Sequence, residues 1–190
     1  MTVLLLDMTA PAPPDATVID TTSRAAGWSK ELSPFYLGPV DLYAGHKAMR
    51  VESGWQFSKL FAEHADNQAN PTEAYWAWAK AGWASYRAQR YPMGKGRTPI
   101  CSIWEGRKLD YIEARKQIYI PLYWRAVCES RAWLALVHLA RRSPVLALRS
   151  FDVYDYRKLG MTLVDVVNNQ DKKMGHGFVL SMMLDAIGIR

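Results

Sequence analysis

The chain has 190 residues, enough for one domain with a full core and too few for two comfortable ones. Apolar residues make up 49% and charged residues 22%, the balance of an ordinary soluble globular domain. The net charge of +6 is spread among acids, so it suits an anionic ligand without requiring nucleic acid, and two cysteines with no CxxC pair exclude a disulfide scaffold and argue against zinc.

The apolar run Val3 to Leu6 has no basic residue ahead of it and is too short for a signal peptide or a membrane span. Residues 1–15 read as a tail or edge strand followed by the stiff connector "APAPP". "ATVIDTTSR", Ala16 to Arg24, has the β-branched content of a short strand. The Pro and Gly residues of "GWSKELSPFYLGPVDLYAG" predict turns between short strands.

"MRVESGWQFSKLF" then predicts a helix from about Glu52 to His64, with Val51, Trp55, Leu60 and Phe61 on its apolar side. "NQANPTEAYWAWAKAGWASYRAQR" predicts a second helix, capped by Asn70, with Pro71 in its first position, running to about Gln89. Next, "RYPMGKGRTP" is a loop in which glycines flank Lys95 and arginines stand at both sides. Exposed backbone N–H groups beside Arg90, Lys95 and Arg97 favour phosphate, although the spacing is not that of a Walker A loop. Solvated charges in a plain turn explain the same loop equally well.

The stretch from Leu109 to Ser143 is the longest helical region, and Pro121 is expected to kink or divide it. Its second half turns Trp133, Leu136, Val137 and Ala140 inward, and His138 reads as a satisfied core or boundary histidine. "VLALRSFDVYDYR" predicts a short strand or helix end that delivers Asp152 and Asp155 into a turn. The last helix begins near Gly175 to Gly177, where accessible N–H groups suit an anion and close helix packing is the plainer explanation. The expected fold is mainly α, an α+β chain with a few short strands near its front and no parallel sheet, since alternating strand and helix units are missing. Residues 16–190 read as a single domain.

Glu52 at a helix start, and Asp152 and Asp155 after an apolar segment, stand out among the acids. Carboxylates beside aromatic rings serve glycosidic cleavage, one orienting or deprotonating water and another stabilising the cationic sugar. The helix dipole and turn chemistry also account for acids at these places.

The order of these motifs resembles the NADAR superfamily. Ser33, Phe35 and Tyr36 match its Ser-Asn-Phe-Tyr segment, with Pro34 in place of Asn; Glu52, Gln56 and Lys59 match its Glu-led helix, with Ser53 in place of His. "NPTEAYWAWAKAG", "YIEARKQIYIPLYWRAV", "LRSFDVYDY" and "MGHGFVLSMML" follow in the family's order, without the Trp-Gly that follows its late Asp. The resemblance implies a metal-independent N-glycosidase without a cofactor, acting on an ADP-ribose-type, nucleotide or riboflavin-pathway substrate, free or within nucleic acid, while the sparse cysteines suit a reducing cytoplasm. It implies Glu52 as catalytic acid or base, Asp152 as the late acid and Asp155 as its substitute. Tyr36 and Trp55 would stack on a base or ribose beside Gln56 and Lys59. Arg90, Lys95 and Arg97 would neutralise phosphate, and Gly175 and Gly177 would present the final helix to it. The alternatives are a degenerate member that binds ADP-ribose or a nucleotide without turnover, and a nucleic-acid-binding module.

Overall fold

A computed structural model describes residues 2–189. In chain order its elements are β1 (Thr2–Leu6), β2 (Thr17–Asp20), β3 (Val40–Asp41), β4 (Lys47–Ala48), α1 (Val51–Gln56), β5 (Lys59–Leu60) and α2 (Glu73–Ala84). They continue as β6 (Cys101–Trp104), β7 (Arg107–Leu109), α3 (Tyr111–Ala114), α4 (Ile120–Cys128), α5 (Arg131–Ala140), β8 (Val145–Arg149), α6 (Leu163–Asn168) and α7 (His176–Ala186). No helix among the described residues is long and apolar enough to cross a membrane.

Helix covers 40% of the chain and strand 15%, so the fold is α+β and the expectation of a mainly α chain is corrected. The strands are not confined to the front either. β8 lies between β1 and β2 and pairs with both in parallel, Ala147 standing opposite Leu4 on one side and Val18 on the other. The expectation of no parallel sheet fails for a definite reason. A run of four apolar residues and an arginine, bounded by Ser143-Pro144 and Ser150, carries no periodicity that separates strand from helix end. Its partners are at the far end of the chain, and parallel pairing needs long connections that no local pattern marks.

The structure divides into two units, one made of the segments up to Ser33 and from Tyr123 onward, the other of Pro34–Leu122. In the first unit the parallel sheet forms the core, with Leu146, Ala147 and Leu148 wholly buried. α7 is buried continuously from His176 to Ser181, as a helix enclosed on all sides must be, and packs on β1.

The second unit holds the hairpin β3–β4, the antiparallel sheet β5–β6–β7 and the short α1, all six of whose residues are buried. α1 stops at Gln56, well before His64. The Ser58 hydroxyl donates to the Trp55 carbonyl at 2.8 Å, and Lys59–Leu60 leave the helix to pair with Ser102 and Cys101. α2 is capped by Thr72, whose Oγ1 accepts the Tyr75 N–H while donating to the His64 carbonyl. Asn70 instead belongs to a turn organised by Asp66. Between α3 and α4, Arg115–Tyr119 widen into a π-helical turn directly before Pro121. Proline has no N–H and its ring clashes with the carbonyl four residues back, and a locally wider turn relieves both problems. The helical run breaks later, where Ser130 caps α5.

Candidate functional site

In the second unit, Glu52 enters α1 in its second position, and its N–H donates to the Pro34 carbonyl at 3.0 Å. The residue is only 5% exposed. A carboxylate so placed is costly unless hydrogen bonds replace its water. The Gln56 amide donates to Glu52 Oε1 at 2.8 Å, and the Lys59 ammonium donates to Gln56 Oε1 at 2.7 Å. Each end of the Gln56 amide therefore has one partner, which fixes its orientation. Glu52 and Gln56 stand one turn apart on α1, while Lys59 reaches back from β5.

Aromatic rings wall this relay. Lys59 Nζ lies 4.6 Å from the Trp55 ring centroid, and Trp55 packs against Tyr119 at 5.3 Å and Tyr111 at 6.5 Å. The guanidinium of Arg115, a residue 1% exposed, stacks 4.1 Å over Tyr111. Arg115 lies in the π-helical turn, a feature frequent at functional sites. In the sequence Tyr111 and Arg115 read only as part of the long helix's stripe and not as site residues, although an Arg four residues after a Tyr in a helical pattern is a legible signal. Tyr36, assigned to stacking, presents an exposed ring. Ser53, where the resembling family has His, is fully buried, and its Oγ finds no hydrogen-bond partner among the described residues.

The basic loop belongs to the same unit. Arg97 forms an ion pair with Glu63, so its charge is already matched. Arg90 stacks 5.3 Å over Tyr91, and Lys95 is exposed between Gly94 and Gly96, both in the left-handed region at φ 99° and 89°.

Asp152, Asp155, Gly175 and Gly177 lie in the first unit. Asp152 adopts φ 56°, and its carbonyl accepts the Gly175 N–H at 2.9 Å. A Cβ on Gly175 would fall 2.1 Å from the Phe151 carbonyl oxygen, and one on Gly177 would fall 2.9 Å from Ser150 and Val153 side-chain atoms. Both glycines thus admit the loop after β8 against the start of α7, and the Gly175 N–H is already used there. Asp155 accepts the Lys158 N–H and pairs with its ammonium at 3.5 Å at the surface.

Between the two glycines sits a residue that the sequence reading passed over. His176 is buried, its Nε2 lying 2.8 Å from the Thr21 carbonyl, 3.0 Å from Thr21 Oγ1 and 3.4 Å from Ser150 Oγ. Burial pushes its pKa down to about 4, against the opposing pull of the Thr21 carbonyl and the charges of Asp152 and Asp20. The ring is neutral at pH 7, with Nε2–H donating to the Thr21 carbonyl. Thr21 follows β2 and Ser150 follows β8, so His176 ties together the carboxyl ends of two parallel strands. A lone His flanked by glycines at a helix start was the available signal.

Among the described residues no group of three His, Cys, Asp or Glu side chains is arranged to hold a metal ion. A family model, described as a family of unknown function (DUF6939), matches residues 6–173. No curated protein and no solved structure matches the chain.

Proposed function

The chain belongs to the DUF6939 family, and we propose that it hydrolyses a sugar–nitrogen bond in an ADP-ribosylated base, a nucleotide or a related metabolite, with Glu52 as the catalytic carboxylate. The observation that carries this reading is a buried carboxylate held by Gln56 and relayed to Lys59 beside the Trp55 ring. The resemblance to the NADAR superfamily, in which the same residue types occupy one helix, supports it from the sequence side.

Water attacks the anomeric carbon as the carbon–nitrogen bond breaks, and the bonding electron pair leaves with the base. Glu52 accepts the water proton as the carbon–oxygen bond forms, and that proton then passes to the departing nitrogen. Its charge also stabilises the oxocarbenium-like sugar. Gln56 and Lys59 act through Glu52, as positioning residues, by fixing where its oxygens point. Trp55 and Tyr36 supply stacking surface, and Arg90 and Lys95 supply charge for a phosphate.

Glu52→Gln tests the reading. In the purified protein, release of free base from ADP-ribosylated guanosine is followed by chromatography. Activity is expected to fall by roughly 100-fold or more, the scale of a lost general base, with the melting temperature confirming a folded variant. Full retained turnover would remove Glu52 from the mechanism.

The buried, unpartnered Ser53 hydroxyl in place of His favours a second reading, in which the chain binds ADP-ribose or a nucleotide and catalyses nothing. Calorimetric binding of ADP-ribose by a chain that shows no turnover would establish it.

A further inference from the structure

A cleft of about 530 Å³ runs along the outer face of α5 in the first unit, far in chemistry from the carboxylate relay. Trp133, Leu134, Val137 and Ile187 line it, and His138, Arg141 and Arg142 complete the lining. Leu134, Val137, His138 and Arg141 recur at helical spacing, so one stripe along α5 carries apolar groups first and ends on the Arg141 guanidinium at its C-cap. Leu134 is 66% exposed and Ile187, just beyond α7, is 47% exposed. The expectation of a core or boundary His138 and an inward Val137 is not met: His138 is exposed and Val137 half-buried.

A single exposed leucine needs no explanation, but two large apolar side chains sharing one cleft with Trp133 do. The charge pattern is equally one-sided. Among the described residues no carboxylate lines the cleft, and neither Arg141 nor Arg142 makes an ion pair. Cations at the end of α5 also offset its dipole, which accounts for their sign but not for the apolar floor beside them. The volume lies within the range of small-molecule sites.

We propose that this cleft binds an amphiphilic anion of the acyl-carboxylate class. The tail lies along Leu134, Val137 and Ile187 over Trp133, and the carboxylate meets Arg141 and Arg142, with His138 at its flank. Arginine suits such a head because its planar fork can pair a carboxylate through two parallel hydrogen bonds. This site is independent of the proposed glycosidase reading, and its test does not use activity.

The test is isothermal titration of the full chain with dodecanoate below its micellar concentration. Saturable binding of one dodecanoate per chain is expected. Arg141→Gln/Arg142→Gln should weaken it by roughly tenfold or more, as lost charge-assisted bonds do. Leu134→Asp, at a surface position that leaves the core intact, should weaken it comparably. Unchanged melting temperatures keep both results interpretable. Absence of saturable binding, equal binding by the variants, or equal binding of uncharged dodecanol would overturn the proposal. So would either rival occupant: co-sedimentation with anionic vesicles without binding of monomeric dodecanoate, or a dimer that Leu134→Asp dissociates.

Discussion

Replacing Gln56 with Leu removes the centre of the relay while keeping side-chain bulk in a buried position. Two hydrogen bonds disappear together, from the amide to Glu52 at 2.8 Å and from Lys59 to the amide at 2.7 Å. A hydrogen bond to a charged group contributes about 1.5–3 kcal/mol when buried. The Glu52 side counts in full because that carboxylate is nearly inaccessible. Lys59 is half-buried and regains water, so its share is discounted to about 1 kcal/mol. The sum is roughly 2.5–4 kcal/mol. For a chain of this size each kcal/mol lowers the melting temperature by about 2–4 °C, so a fall of roughly 5–15 °C is expected. Differential scanning calorimetry measures it directly. The companion variant Lys59→Met keeps the amide–Glu52 bond but removes the outer bond together with the ammonium's contact to the Trp55 ring, and should cost about 1–2 kcal/mol. The double variant should then cost less than the sum of the two, by at least about 0.5 kcal/mol, because both single changes delete the same outer bond. Additive losses, or a melting temperature for Gln56→Leu within a degree or so of the parent, would refute the relay and with it the positioning of Glu52.

Two further outcomes concern the first unit. An unfolded histidine titrates near 6.5, whereas burial holds His176 at about 4. Between those values the unfolded chain binds a proton that the folded chain does not. Stability present above pH 6.5 is therefore lost as pH falls toward 4, by at most about 3 kcal/mol. Urea titrations at pH 7 and pH 5 should show that loss in the parent and a smaller one in His176→Gln; equal losses would rule out His176 as the source. Gly175→Ala should destabilise by more than about 2 kcal/mol, since its Cβ would meet the Phe151 carbonyl and the loop after β8 must move. A melting temperature unchanged by that substitution would show that the loop does not approach so closely.

Parts of this structure were legible in the residue pattern because they rest on neighbours in the chain. The polar strip of Glu52, Gln56 and Lys59 follows from helical spacing, and the three are joined by hydrogen bonds even though the helix itself ends at Gln56. The second helix exists where its pattern put it, but it ends at Ala84 and not near Gln89, and its cap is Thr72 and not Asn70: both are good caps, and contact between Thr72 and the His64 carbonyl decides between them. Arg97 read as a free cation because its partner, Glu63, lies in a different segment of the chain.

By itself the sequence determined composition, charge, the helix-forming segments and the spacing of polar groups along them, all consequences of local geometry. Tertiary structure alone decided that "VLALR" is the central strand of a parallel sheet, that Glu52 is buried, and that His176 is neutral. Each of these depends on what lies opposite a residue in space. The parallel sheet joins segments from both ends of the chain, and the free energy of a buried charge or a titrating ring is set by surroundings that no local pattern records.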